Sequence, residues 1–291
     1  MSSETPTRRW GVEQRLEFIE FKLFWEGRLK RGDLTEFFGV SVPQASTDIS
    51  TYKVAAEMNL NYDAKEKRYI VAQNFRPEFY KPNADRYLAQ LKGLAETIIS
   101  PEETWIANPP EVDTLPIPHR RIGAELLRRI IGVIRSGTSI EILHQSLSSR
   151  NSELAWHRIT PHALGSDGLR WHIRGFCHEE SRFKDFIISR CRDVRNEGPA
   201  GANPNDDLEW HTLFNVALMP NPKLTQSQQD TVAKDFDMEN GKVIVPVRLA
   251  MLYYFEKRLR LDVDVPDDRP KEKPVIIANL AEFEKARPRR W

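Results

Sequence analysis

The sequence predicts an α+β chain built from several modules. Three observations carry that prediction. Apolar residues recur at helical spacing in separate blocks, strand-like alternation fills the middle of the chain, and two turn-rich stretches separate the patterned regions. The 291 residues are 40% hydrophobic and 29% charged, which is ordinary globular composition with core enough for two or three domains. Net charge is +1, so affinity for an acidic partner has to come from local patches. No apolar run is long enough to cross a bilayer, and MSSETPTRRWGVEQ carries no apolar leader, so a cytoplasmic chain without a membrane partner is expected. Cys177 and Cys191 are expected to be reduced. The chain has no CxxC, no HExxH and no locally clustered His/Cys set, so no metal and no cofactor are expected.

The first helix is GVEQRLEFIEFKLFWEG, with Val12, Leu16, Ile19 and Leu23 on one face, Phe18 and Trp25 beside it, and Gly27 as its stop. A short second helix, LTEFFG, is expected to be capped by Asp33 and ended by Gly39. Ser41 then caps a third helix, VPQASTDISTYKVAAE, with Pro43 in its first turn. A short helix, a tight turn and a second helix make a helix-turn-helix. The segment LNYDAKEKRYIVA follows as a hairpin with a charged turn at 63–67, the wing of a winged helix.

Residues 1–80 are therefore expected to be a winged helix-turn-helix that binds double-stranded DNA. Ala45, Ile49 and Val54 of the third helix should face the core. Ser41, Gln44, Ser46, Thr47, Thr51 and Lys53 should face base edges and phosphates, and Lys65, Lys67 and Arg68 should reach the backbone from the wing. Residues 1–72 hold 11 Lys/Arg and 11 Asp/Glu, which favours a dimeric, site-specific reader over a non-specific one. The alternative is a plain three-helix bundle used for protein contact.

A helical linker is expected over 81–134: one helix near 84–99, the proline-rich SPEETWIANPPEVDTLPIPHR, and a second helix in RRIGAELLRRIIGVIRSG. Residues 135–198 alternate as strands with tight Gly-containing turns, which suggests a small, strongly bent sheet or barrel. Residues 119–195 hold 14 Lys/Arg against 8 Asp/Glu, all but one of the cations being Arg, and six of the seven histidines. Arginine points to bidentate recognition of phosphate or carboxylate. In LRWHIRGF the strand period puts Arg170, His172 and Arg174 on a cationic face and Trp171, Ile173 and Gly175 on a core face. The alternative is a solvated face on which these arginines pair with Glu179, Glu180, Asp185 and Asp193. After the linker NEGPAGANPNDD, residues 208–291 mix strands and helices. There Phe214, Val216, Tyr253, Tyr254 and Phe255 offer either a dimerisation surface or that module's own core. His157, His162, Cys177 and Glu179 have no spacing that marks an enzyme, so none is expected.

PHALGSDGLRWHIRGFC followed by SRFKDFIISRCRDV resembles the WYL domain of bacterial regulators, with Trp171-His172-Ile173 in the namesake place. RWGVEQRLEFIEFKLFWEGRLKRGDLTEFFGVSVPQASTDISTYK is similar to the branch of dimeric repressors found with BREX- and CBASS-type anti-phage defence islands. The resemblance covers nearly the whole chain. It implies an Sm-like or SH3-like β-barrel WYL domain that senses a nucleic acid fragment or nucleotide, and a C-terminal α+β dimerisation domain. It places ligand-binding positions at Ser149, Arg150, Arg158, His162, His172, Arg174, Arg182, Phe183 and Arg190. The expected protein is a ligand-responsive homodimeric repressor that binds a palindromic operator. The alternative is a non-regulatory nucleic-acid binding or processing protein.

Overall fold

A computed structural model describes residues 6–118, 120–147, 153–266 and 268–288. The chain divides into two compact units, one ending at Pro116 and one starting at Ile117.

In the first unit, α1 (Pro6–Glu26) leads through β1 (Arg28–Leu29) to α2 (Arg31–Phe38) and α3 (Val42–Ala55). Asp33 is the third residue of α2, not its cap, and accepts a hydrogen bond from the Lys30 N–H at 2.8 Å. Gly39 ends α2 at φ 64°, a left-handed conformation that glycine adopts without strain. Ser41 Oγ accepts from the Gln44 N–H and caps α3. Next come β2 (Leu60–Asp63), β3 (Arg68–Val71) and α4 (Ala84–Ala95). The three strands form an antiparallel sheet in the order β1-β3-β2.

One core joins Leu16, Ile19 and Leu23 of α1 to Leu34 of α2 and to Ala45, Ile49 and Tyr52 of α3. Val54, expected in this core, is 87% exposed, because the buried stripe of α3 runs 45, 49, 52, 56. Buried Glu20 ties α1 to the rest. It accepts from the Tyr52 hydroxyl and from the backbone N–H groups of Glu78, Phe79 and Tyr80. A second cluster packs Leu91 of α4 and Ile106 against Phe21.

The second unit starts with α5 (Ala124–Ser136), followed by β4 (Ser139–Gln145), β5 (Leu154–Ser166), β6 (Trp171–Cys177), β7 (Arg182–Ile187) and β8 (Cys191–Gly198). These strands make one antiparallel sheet in the order β7-β6-β5-β4-β8. Its edge strands β7 and β8 are joined by the single 3₁₀ turn Ile188–Arg190. Four residue steps reach at most about 14 Å, whereas five flat strands hold their edges about 19 Å apart. The sheet therefore curls. Ile140, Ile142, Ile159, Ile173 and Cys177 fill the curl, and Ile130 and Val133 of α5 cover it. At Gly175 any Cβ would meet Thr160 O at 2.8 Å and Pro161 Cα at 2.9 Å, so β5 and β6 approach closely beside the register shift at Pro161–Ala163. The expected linker over 81–134 is thus split, since α4 packs in the first unit and α5 closes the second.

The same unit continues with α6 (Leu208–His211), β9 (Leu213–Pro220), α7 (Gln226–Asp235), β10 (Val243–Arg248), α8 (Leu252–Arg258), β11 (Val275–Ile277) and α9 (Leu280–Ala286). Strands β10-β9-β11 form an antiparallel sheet. Val216, Leu218, Leu252 and Phe283 make its core, with Phe214, Phe255 and Val232 packed against them. Phe214, Val216 and Phe255 are therefore core rather than a surface for a second chain. Among the described residues no helix is long and apolar enough to cross a membrane.

Candidate functional site

The third helix carries the first candidate surface. Ala45, Ile49 and Tyr52 anchor one side of α3, and the Tyr52 hydroxyl is held by Glu20 and Asn59 at 3.0 Å each. A buried carboxylate, Asp48, accepts from Arg15 at 2.7 and 3.2 Å and from Gln44 Nε2 at 2.9 Å. Gln44 is thereby half-buried and committed to Asp48. Ser46 donates to the Val42 carbonyl and accepts from Arg31, a contact that no local sequence spacing reveals. Thr47 donates to the Pro43 carbonyl. The outward stripe is Val42, Pro43, Thr47, Ser50, Thr51 and Val54, flanked by Lys53. It is uncharged apart from its flank and ends at the exposed cap Ser41.

On the wing, Asp63 Oδ1 accepts from the N–H groups of Lys65 and Glu66 at 3.0 and 3.1 Å, which shapes the turn. Lys65 and Lys67 are exposed at its tip. Arg68 is half-buried and leans toward Glu66, 4.0 Å away, so it offers less to a phosphate than the sequence suggests.

The arginines and histidines of the curled sheet do not share one open face. Strand β6 is covered on both sides: Ile173 and Gly175 are buried as expected, but His172 and Arg174 are each 2% exposed and Trp171, expected in the core, is 52% exposed. Arg174 spends four of its five N–H donors on carboxylates. It meets Asp207 through Nε at 2.7 Å and Nη2 at 2.8 Å, Asp185 at 3.2 Å and Glu209 at 2.9 Å. Burial alone would lower its pKa, but Asp207, Asp185 and Glu209 outweigh it and raise it further. His162 Nε2 also meets Asp207, at 2.9 Å, with Phe183 edge-on to its ring. These three residues form a structural node, which corrects the expectation that Arg174 faces a ligand.

Arg158 pairs with Glu141 at 2.7 Å and contacts Ser139 and Asn196, and exposed Arg182 pairs with Glu180 at 2.6 Å. Ser149 and Arg150 lie outside the described residues. Arg190 has a different setting. Burial and the neighbouring charges of Arg170 and Arg120 lower its pKa. Among the described residues no carboxylate forms an ion pair with it. Arg170 sits 5.8 Å from the centroid of the Tyr254 ring, and the His172 ring lies 4.6 Å from the same ring. His172 Nε2 faces Asp167 at 3.2 Å while its Nδ1 is buried without a hydrogen-bond partner. Sequence spacing missed Arg120 and Tyr254, since both reach this place from outside the strands. The two cysteines are free and buried.

The carboxylates of this unit predict its acid limit. Burial would raise the Asp167 pKa, but the Leu169 N–H, Arg170 and His172 outweigh it and bring the group from 3.8 to about 2. Asp207 is lowered in the same way, Arg174 and His162 overcoming burial. A depressed folded pKa adds stability above the unfolded value, and that stability is lost as pH falls through the folded one. The unit should therefore keep this contribution at pH 5 and lose roughly 2 kcal/mol per group between about pH 4 and pH 2. Urea midpoints across that range measure it. A parent and an Asp167→Asn variant with equal slopes would refute it.

Residues 11–93 match the BrxR transcriptional regulator winged helix-turn-helix domain, and residues 213–283 match the BrxR transcriptional regulator C-terminal dimerization domain. A DNA-binding transcriptional repressor CapW of Pseudomonas aeruginosa is 37% identical over 275 residues, covering 94% of this chain and 91% of that protein. The CapW repressor of Stenotrophomonas maltophilia is 36% identical over 284 residues, covering 97% and 94%. That of Escherichia coli (strain KTE188) is 33% identical over 278 residues, covering 94% and 91%. Among solved structures, proteasome accessory factor B/C of Arthrobacter aurescens aligns over 94% of this chain and 47% of its own, with 14% identity and a TM-score of 0.26. A likeness of that size sets neither fold nor function.

Proposed function

Because the chain belongs to the family of CapW DNA-binding transcriptional repressors, we propose that it is a homodimeric repressor whose third helices read a palindromic operator in the control region of an anti-phage defence operon. The outward face of α3 carries this reading. It presents Thr47, Ser50 and Thr51 beside Val42 and Val54, short hydrogen-bonders and methyl groups of the kind that read base edges and thymine methyls in a major groove. Lys53, Lys65 and Lys67 supply phosphate contacts that fix register. Footprinting on DNA upstream of its own gene is the test. One sharp, two-fold symmetric footprint supports the reading. Cleavage of the strand, or binding without sequence preference, sinks it and favours a nucleic-acid processing role.

A reader with so few cations needs two half-sites for useful affinity. Helices α7, α8 and α9 all pack on one side of the β10-β9-β11 sheet, and the other side leaves Leu213 57% and Ile244 54% exposed. We assign the dimer contact to that open face, a role that fits the match to a dimerization domain. An Ile244→Asp chain should sediment as a folded monomer at micromolar concentration and bind the operator at least about tenfold more weakly. A dimer indistinguishable from the parent would refute the assignment.

We infer that the curled sheet is the WYL-type barrel, with its sensing position at Arg190, Arg170, Arg120, His172 and Tyr254. Arg190, which makes no ion pair among the described residues and lies under the charges of Arg170 and Arg120, suits an anionic nucleotide or nucleic acid fragment, with Arg170 also answering Asp167. Such a ligand can move the repressor between states only by binding one of them better. Calorimetry of the whole chain with short oligonucleotides and cyclic nucleotides, parent against Arg190→Ala, tests it. Equal heats from both proteins would end this reading without touching the DNA-binding one.

A further inference from the structure

We propose that His157, Cys177 and Glu179 form a binding site for a thiophilic divalent cation of the zinc class. The three donor atoms lie within 4.8 Å of one another. Cys177 Sγ stands 3.2 Å from Glu179 Oε2, and His157 Nδ1 stands 3.9 Å from the same oxygen. Bonds of about 2.0–2.3 Å in a tetrahedral zinc site put donor pairs roughly 3.3–3.8 Å apart. With all three donors inside 4.8 Å, a cation fits once the side chains close in by up to about an ångström.

The sheet builds this arrangement from separated pieces. Cys177 pairs with Ile159 across β5–β6, and His157 lies two residues before Ile159 on the same face. Glu179 follows in the turn after β6. Its Oε1 accepts from the Arg158 N–H at 2.8 Å, which leaves Oε2 turned toward the thiol and the imidazole. Glu179 is 48% exposed and Cys177 is fully buried, so the site has an entrance and a floor.

A second observation points to the same place. His144 of β4 is 6% exposed, its Nε2 has no hydrogen-bond partner, and its ring centroid is 6.3 Å from that of His157. A buried ring nitrogen without a partner is costly unless something answers it. A cation bound beside His157, with a water in its fourth position, would bring a polar partner to that side of the His144 ring. Thiolate and carboxylate together neutralise a divalent charge, and the nearby Lys184 is held by Glu180. On binding, the Cys177 S–H bond breaks, its proton leaves to solvent and a metal–sulfur bond forms; nothing is oxidised or reduced. The ligands come from positions 157, 177 and 179 on two strands and a turn, so no compact sequence spacing announced them.

The test uses the full-length chain, stripped of metal and titrated with Co(II). We expect uptake of one Co(II) per chain with a thiolate-to-cobalt charge-transfer band, displaced by Zn(II) and not by Mg(II). Cys177→Ser should abolish the band and Cys191→Ser should leave it. Glu179→Gln alters a half-exposed side chain and should weaken binding by about tenfold or more. A folded parent that takes up no Co(II), a band that survives Cys177→Ser, or parent-like affinity in Glu179→Gln overturns the proposal.

Discussion

Replacing Arg174 by methionine is expected to lower the unfolding free energy by about 3–5 kcal/mol, the cost of removing one partner from a buried ion pair. Methionine roughly keeps the volume of the side chain, so the loss is electrostatic rather than a cavity. Asp207 would be left buried without the guanidinium that meets both its oxygens. Asp207 also accepts from the Trp210 N–H and from His162, so the start of α6 loosens with it. Urea unfolding followed by the fluorescence of Trp171 and Trp210, which belong to this unit, reads the effect. Adding Asp207→Asn to Arg174→Met should recover part of the loss, because the two residues are coupled. A single variant within 1 kcal/mol of the parent would mean that this guanidinium is not a strut.

The second large effect concerns DNA. The Thr47→Ala/Thr51→Ala chain should bind its operator more weakly by about 2 kcal/mol or more, roughly thirtyfold, at about 1–3 kcal/mol per lost base contact. Both side chains are exposed, and the Thr47 hydroxyl is bonded within α3 only to the Pro43 carbonyl, so the melting temperature should not move. Gln44 is a poorer choice for this experiment, because removing it strips a partner from buried Asp48. Lys67→Ala should instead weaken specific and non-specific DNA alike and reduce the salt slope by about one. Unchanged operator affinity in the double threonine variant would place the reading surface elsewhere.

The first unit was largely legible in the sequence because its signals are local. A cap at Ser41, a left-handed glycine at Gly39, the stripe at 45 and 49, and a polar turn between two short apolar runs each specify the backbone within a few residues. Even the error at Val54 was a local one, since continuing the same spacing leads to Tyr52 and Ala56. In the second unit the strands, too, were legible from alternation.

Which strand faces are covered was not legible. Alternation separates two sides of β6 but does not say whether either meets water. Burial of Arg174 depends on Asp207 and Glu209, 33 and 35 residues further along the chain, and that of His172 on Tyr254, further still. The sequence by itself determined the order of modules, the helix-turn-helix with its wing, and the concentration of arginine in the middle of the chain. Only the tertiary structure decided which arginines are struts, because a buried charge keeps its place through partners brought from distant segments. The same holds for His144, His157, Cys177 and Glu179, which become neighbours only when the sheet curls.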